Sequence, residues 1–164
     1  VMLSGESAAG KYPVETVKIM SEIVEETEKN IHYEKRFKTS EFKIKNKVDA
    51  ISHATCGMAI DIEAKVIAVC TLSGITARMV SRFRSPVDIL GVTIDEKTWY
   101  KLALSFGVTP VMCEVYESTD VLFYTAKKLA VKTFGLESGD KIVITGGTTN
   151  GISGTTNSIK VEIV

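Results

Sequence analysis

Residues 64–84 read AKVIAVCTLSGITARMVSRFR: an apolar run from Val66 to Cys70, a small loop of hydroxyls and glycine, and then a helical pattern that begins near Ile75. A strand that feeds a helix in this way is a ready-made phosphate site. The N–H groups of the first helical turn lack intrahelical acceptors and the helix dipole adds partial positive charge there. Thr71, Ser73 and Thr76 supply hydroxyl donors, and Gly74 lets backbone approach an anion with no Cβ in the way. The same Ser, Thr and Gly also suit a turn that does nothing more than cap the helix, so the loop needs support from elsewhere in the chain.

Working outward, strands and helices alternate. Ile44, Val48, Ile51, Thr55, Met58 and Ile62 mark a helix before the strand at 65–71, and a second helix covers 75–83. Asp88 to Thr93 reads as a strand. Asp95 is placed to cap a helix carrying Trp99, Leu102, Ala103 and Phe106, which Gly107 closes. Val111 to Val115 is the next expected strand, Ser118 or Thr119 caps a helix over 120–134, and Lys141 to Thr145 is a further strand. This order predicts an α/β fold: a three-layer sandwich with a mostly parallel five-stranded sheet and helices on both faces. The segment 146–157 is too short for a crossover, so Ser158 to Val164 is expected as an antiparallel last strand on the sheet edge. An open edge there also suits pairing with a second copy of the chain.

Toward the start, Pro13 fits a first helical turn, and Val14, Val17, Met20, Val24 and Ile31 recur at helical spacing over 13–31. Residues 32–42 are dense in charge and lose that period, which predicts a hinge or linker. The organisation expected is therefore a helix-bearing segment 1–31, the hinge 32–42, and a domain over 43–164. The chain opens on Val1-Met2-Leu3, read as part of a strand, in the manner of a fragment.

Composition narrows the function. The chain has 164 residues, 45% of them hydrophobic and 24% charged, enough for one substantial core. Twenty basic residues balance twenty acidic ones, so no global field draws in nucleic acid or an anionic membrane, and neither partner is expected. No run approaches the length needed to span a bilayer. Cys56, Cys70 and Cys113 are widely spaced within apolar runs and read as reduced core thiols of a cytosolic protein. His32 and His53 have no ligand-spaced neighbours, so no metal site is expected.

Gly5-Glu6-Ser7-Ala8-Ala9-Gly10-Lys11 satisfies most of a Walker A pattern, but Tyr12 stands where Ser or Thr must present a compact hydroxyl to Mg²⁺, which argues against a nucleotide-hydrolysing P-loop. The glycine-rich stretch 146–157 suits a hairpin connection. In a parallel sheet it would also share an edge with the 71–76 loop, where it can serve as a flap over a bound phosphate ester. Arg78 and Arg82, one turn apart, together with Arg84, form either a solvated stripe or a set that answers acidic groups across a subunit boundary.

Together these residues resemble the pyruvate kinase family over essentially the whole chain. VMLSGESAAGKYP is similar to the stretch that ends the family's (β/α)₈ barrel, TLSGITARMVSRFRSP to a motif of its C-terminal domain, and GISGTTNSIKVEIV to its closing segment. The resemblance implies the last strand and helix of a TIM barrel followed by a regulatory domain. The parent enzyme would be a cytosolic homotetramer that moves phosphate from phosphoenolpyruvate to ADP with Mg²⁺ and K⁺. The metal and K⁺ ligands would lie outside this chain, leaving it without a cofactor and inactive alone. Ser4 matches a serine of the family's proton-donor network. Thr71, Leu72, Ser73, Gly74, Ile75 and Thr76 match the pocket for an effector phosphate, with Gly151, Ile152, Ser153 and Gly154 as the flap. Thr133 is the position matched to an arginine that grips a second phosphate. The implied effector is therefore a sugar phosphate or nucleoside monophosphate rather than a bisphosphate. A structural assembly domain with no effector, associating as a dimer of this piece, is the alternative.

Overall fold

The computed structural model describes residues 1–147 and 154–164. In chain order the elements are α1 (Gly5–Ala8), α2 (Pro13–Lys29), α3 (Tyr33–Thr39), α4 (Lys47–Asp61), β1 (Val66–Cys70), α5 (Ile75–Arg82), β2 (Asp88–Thr93), α6 (Glu96–Leu102), β3 (Val108–Met112), α7 (Thr119–Phe134), β4 (Lys141–Gly146) and β5 (Ser158–Ile163). The sheet runs β3-β2-β1-β4-β5, parallel throughout except for the antiparallel β4–β5 pair. This is the expected α/β architecture.

The central position of β1 explains its uniformly apolar sequence, because both of its faces are covered. Ile67 and Val69 join Ile89, Val143, Ala77, Val80, Phe83 and Leu102 in one core, with α4 and α5 on that face. Val66, Ala68 and Cys70 point the other way, against Leu90, Val92, Ile142, Ile144 and the α7 residues Phe123, Ala126 and Ala130. Period-two alternation thus sorts each strand between two apolar layers rather than between core and water.

Three sequence expectations need correction. Val1–Leu3 forms no strand. A strand exists only as one side of a ladder, no strand among the described residues pairs with these three, and Val1 and Met2 stay exposed. The Walker-like segment, already read as no P-loop because of Tyr12, winds into a single helical turn over Gly5–Ala8.

The segment 32–42, expected as a hinge or linker, contains helix α3. A single buried side chain, Phe37, accounts for this, packing against Phe42, His53 and Phe83 with ring centroids 5.5, 4.9 and 6.5 Å away. One apolar anchor is too few to give a period in the sequence. Helix α6 stops at Leu102, because Phe106 leaves the helical path to meet Tyr33 and the Arg84 guanidinium.

β3 begins three residues before the expected Val111. The Gly107 carbonyl accepts from Ile89 N–H and pulls the chain into the ladder early, and Pro110 is tolerated because β3 is an edge. The indole of Trp99 donates to the Pro110 carbonyl at 2.9 Å and fastens α6 to that edge.

Candidate functional site

The loops that follow β1, β2, β3 and β4 meet at one edge of the sheet and enclose a cleft of about 150 Å³. Thr71, Leu72, Ser73 and Thr76 line one side. Gly147 with Gly154, Thr155 and Thr156 lines another, and Val92, Thr93, Ile94, Cys113, Glu114, Val115, Tyr116 and Leu122 complete the wall. Loops at the C-terminal ends of parallel strands necessarily converge in this way.

The ladder continues past the strand ends and fixes these loops. Thr71 N–H donates to the Val92 carbonyl and Cys113 N–H to the Thr93 carbonyl, both at 2.9 Å. Gly74 sits at φ +76° as the N-cap of α5, a left-handed conformation that favours glycine. Its N–H donates to Thr71 Oγ1 at 3.1 Å, which leaves the Thr71 hydroxyl proton available to a ligand. The first intrahelical bond of α5 runs from Arg78 N–H to the Gly74 carbonyl. The N–H groups of Ile75, Thr76 and Ala77 therefore form the amide crown at the positive end of the helix.

On the far wall, a Cβ at Gly147 would lie 2.6 Å from the Thr155 carbonyl carbon, so only glycine lets the 154–156 backbone settle this close to β4. Thr76 and Thr156 join the walls, their Oγ1 atoms 2.6 Å apart and both residues buried. The Thr76 hydroxyl was expected to face a phosphate; in the structure it is bonded to Thr156.

Among the described lining residues there is no lysine or arginine, and Glu114 carries the one formal charge. Burial pushes the Cys70 thiol far up, and burial followed by the Glu114 carboxylate raises that of Cys113. Both sulfurs stay protonated near neutral pH, so they neither repel an anion nor act as nucleophiles. Any anion here meets neutral donors and a helix end.

The residues expected to hold phosphate divide as follows. Thr71, Leu72, Ser73 and Thr76 line the cleft, Gly74 shapes the loop, and the Ile75 side chain is exposed at 39%. Of the flap, Gly154 lines the cleft, whereas Gly151, Ile152 and Ser153 lie outside the described residues. Thr133 is exposed near the C-terminal end of α7 and does not line the cleft; α7 contributes Leu122 from its first turn. The inference about a second phosphate cannot rest on Thr133. Ser4 also lies outside, its N–H and hydroxyl both donating to the Glu6 carboxylate at 3.0 and 3.2 Å.

Two of the three arginines that follow the loop, Arg82 and Arg84, are engaged within the chain. Arg82 lies 3.7 Å from the buried Asp49 carboxylate, and the Arg84 guanidinium sits 3.9 Å above the Phe106 ring. Among the described residues no three His, Cys, Asp or Glu side chains come together so as to hold a metal ion, and no helix is long and apolar enough to cross a membrane.

Sequence reasoning missed Glu114, Val115 and Tyr116 because the β3 strand was set three residues late, which placed Glu114 and Val115 inside it and Tyr116 directly at its end. The rule that parallel strands share a C-terminal edge, applied to β2 and β3 as well as β1, would have pointed to them.

Comparison with known proteins bears on what such a cleft serves. The family model for the pyruvate kinase alpha/beta domain matches residues 49–162. Over 165 residues the chain is 41% identical to pyruvate kinase of Clostridium acetobutylicum, covering all of this chain and 35% of that protein. Pyruvate kinase of Staphylococcus epidermidis is 41% identical over 168 residues and that of Lactobacillus delbrueckii subsp. bulgaricus 37% over 166, each with 28% of its length covered. The chain thus spans about a third of the length of the curated relatives it matches.

Proposed function

This chain belongs to the pyruvate kinase family, and from that membership we propose that it is the C-terminal, regulatory part of a glycolytic phosphotransferase acting on phosphoenolpyruvate and ADP, with its cleft holding a phosphorylated effector. The amide crown of α5 beside the Thr71 hydroxyl, inside a cleft walled by threonine and glycine, carries the effector reading. A phosphate ester placed there accepts from the N–H groups of the first turn and from Thr71. Its remaining part lies over the apolar floor of Val92, Leu122 and Cys113.

Within this proposal the Mg²⁺ and K⁺ of the family are assigned to parts of the enzyme that this chain does not cover. Ser4 is assigned a minor place in the proton network at the end of the barrel. Within the chain, catalysis by itself is not expected.

Thermal unfolding of the chain with ribose 5-phosphate or AMP tests the effector role. A ligand at 100-fold its dissociation constant stabilises the fold by about 2.7 kcal/mol; an unchanged midpoint across millimolar concentrations of both would contradict binding.

Subunit contact is the second role, favoured by one observation. β5 is an edge strand with Val161 and Ile163 exposed at 43% and 59%, a surface that suits pairing with a second copy, although the Ile163 carbonyl already accepts from Lys127. Sedimentation showing a monomer at high protein concentration would rule out pairing by this chain alone.

A further inference from the structure

We propose that Glu114 restricts the cleft to ligands with a single phosphate, its carboxylate accepting hydrogen bonds from ligand hydroxyls and repelling a second phosphate. This rests on the phosphate-binding reading of the cleft. It adds the residue that sets which phosphate esters enter.

The charge inventory is the first support. No Lys or Arg lines the cleft among the described residues, and Glu114 is the one charged side chain in that lining. One phosphate can be met by the amides that open α5, whose end carries roughly half a positive charge, and by the Thr71 hydroxyl. Among the described lining residues a second would find no cation. Arg78 lies against Gly74 beside Thr98 and outside the lining, Arg82 faces Asp49, and Arg84 covers Phe106.

Position is the second. The bond from Cys113 N–H to the Thr93 carbonyl fixes the chain at the end of β3, so Glu114 leaves the sheet on the cleft side, in the loop that also presents Tyr116. Its field reaches the floor, where it adds to burial in raising the Cys113 thiol. A carboxylate accepts from neighbouring hydroxyls of a sugar more strongly than a neutral acceptor does, and the same charge opposes a second dianion across the cleft.

Isothermal titration of the chain with ribose 5-phosphate and with fructose 1,6-bisphosphate, at moderate salt, tests the assignment in the unaltered protein and in Glu114→Gln and Glu114→Lys. The unaltered chain is expected to bind the monophosphate at least about tenfold more tightly than the bisphosphate. Glu114→Gln narrows that ratio, and Glu114→Lys improves bisphosphate binding by about tenfold or more, equivalent to about 1.4 kcal/mol. Glu114 is exposed, so both variants keep the fold, which circular dichroism verifies. If ribose 5-phosphate binds but neither variant alters the ratio, the role of Glu114 is wrong while the phosphate site stands. If neither ester nor inorganic phosphate binds any of the three proteins, the phosphate reading fails and takes this inference with it.

Discussion

Thr76 and Thr156 stand 80 positions apart in the chain, yet their hydroxyls bond each other inside the fold and hold the start of α5 to the approach to β5. Removing one partner leaves the other buried and unpaired, so Thr76→Val is expected to cost about 1–3 kcal/mol in urea unfolding. The double variant with Thr156→Val should recover part of that loss, and strictly additive costs would contradict the pairing. Gly74→Ala places a Cβ 3.1 Å from Thr98 Cγ2 at a left-handed φ, with an expected loss of about 1–2 kcal/mol.

Asp95 offers a test by pH. Its carboxylate is bonded by the Thr98 side chain and by Thr98 N–H, which hold it below the ordinary value of 3.8. A lowered folded value means that the stabilisation is complete above 3.8 and fades as pH falls through the folded value. The urea midpoint of the unaltered chain should therefore exceed that of Asp95→Asn at neutral pH, with the gap closing in acid; a constant gap would show that ionisation is not responsible. Asp95 was legible in the sequence because a helix cap acts within a few residues. The Thr76–Thr156 bond was not, since nothing local to either threonine announces a partner so remote.

At the level of elements, α3 shows what periodicity misses. Its sequence is mostly charged, yet Phe37 seats it in the ring cluster with Phe42, His53 and Phe83. Phe37→Ala should lower stability by about 3–5 kcal/mol in urea unfolding; a loss below about 1 kcal/mol would mean that α3 is not anchored. The strands β1, β2, β4 and β5 were readable because their apolar runs are bounded by clear turn residues. β3 was not, since Pro110 in its middle argues against a strand unless the edge position is known. That error carried a functional consequence, as it placed Glu114 and Val115 in an expected strand and left this part of the cleft wall unread.

For the molecule as a whole, the sheet lies within residues 66–163 and its two apolar layers draw on Phe37 and Phe42 as well as on residues from α4 onward, whereas α2 buries none of its residues. Its apolar residues Ile19, Met20, Ile23 and Val24 face an open groove of about 970 Å³ whose lining includes Tyr33, Arg84 and Phe106. The two parts therefore differ in how they treat apolar side chains: the α/β part encloses them in layers and α2 leaves them open along the groove. The family membership and the layer order followed from motifs and alternation; the depth and chemistry of the cleft emerged only when distant loops were brought to one edge.

The central claim is that the start of α5 receives a phosphate. Titrating ¹⁵N-labelled chain with ribose 5-phosphate and following amide resonances by NMR tests it most directly. Saturable shifts concentrated at residues 73–77, and at Gly147 and Thr156 across the cleft, are predicted; unmoved resonances there, or shifts confined to other surfaces, would contradict the account.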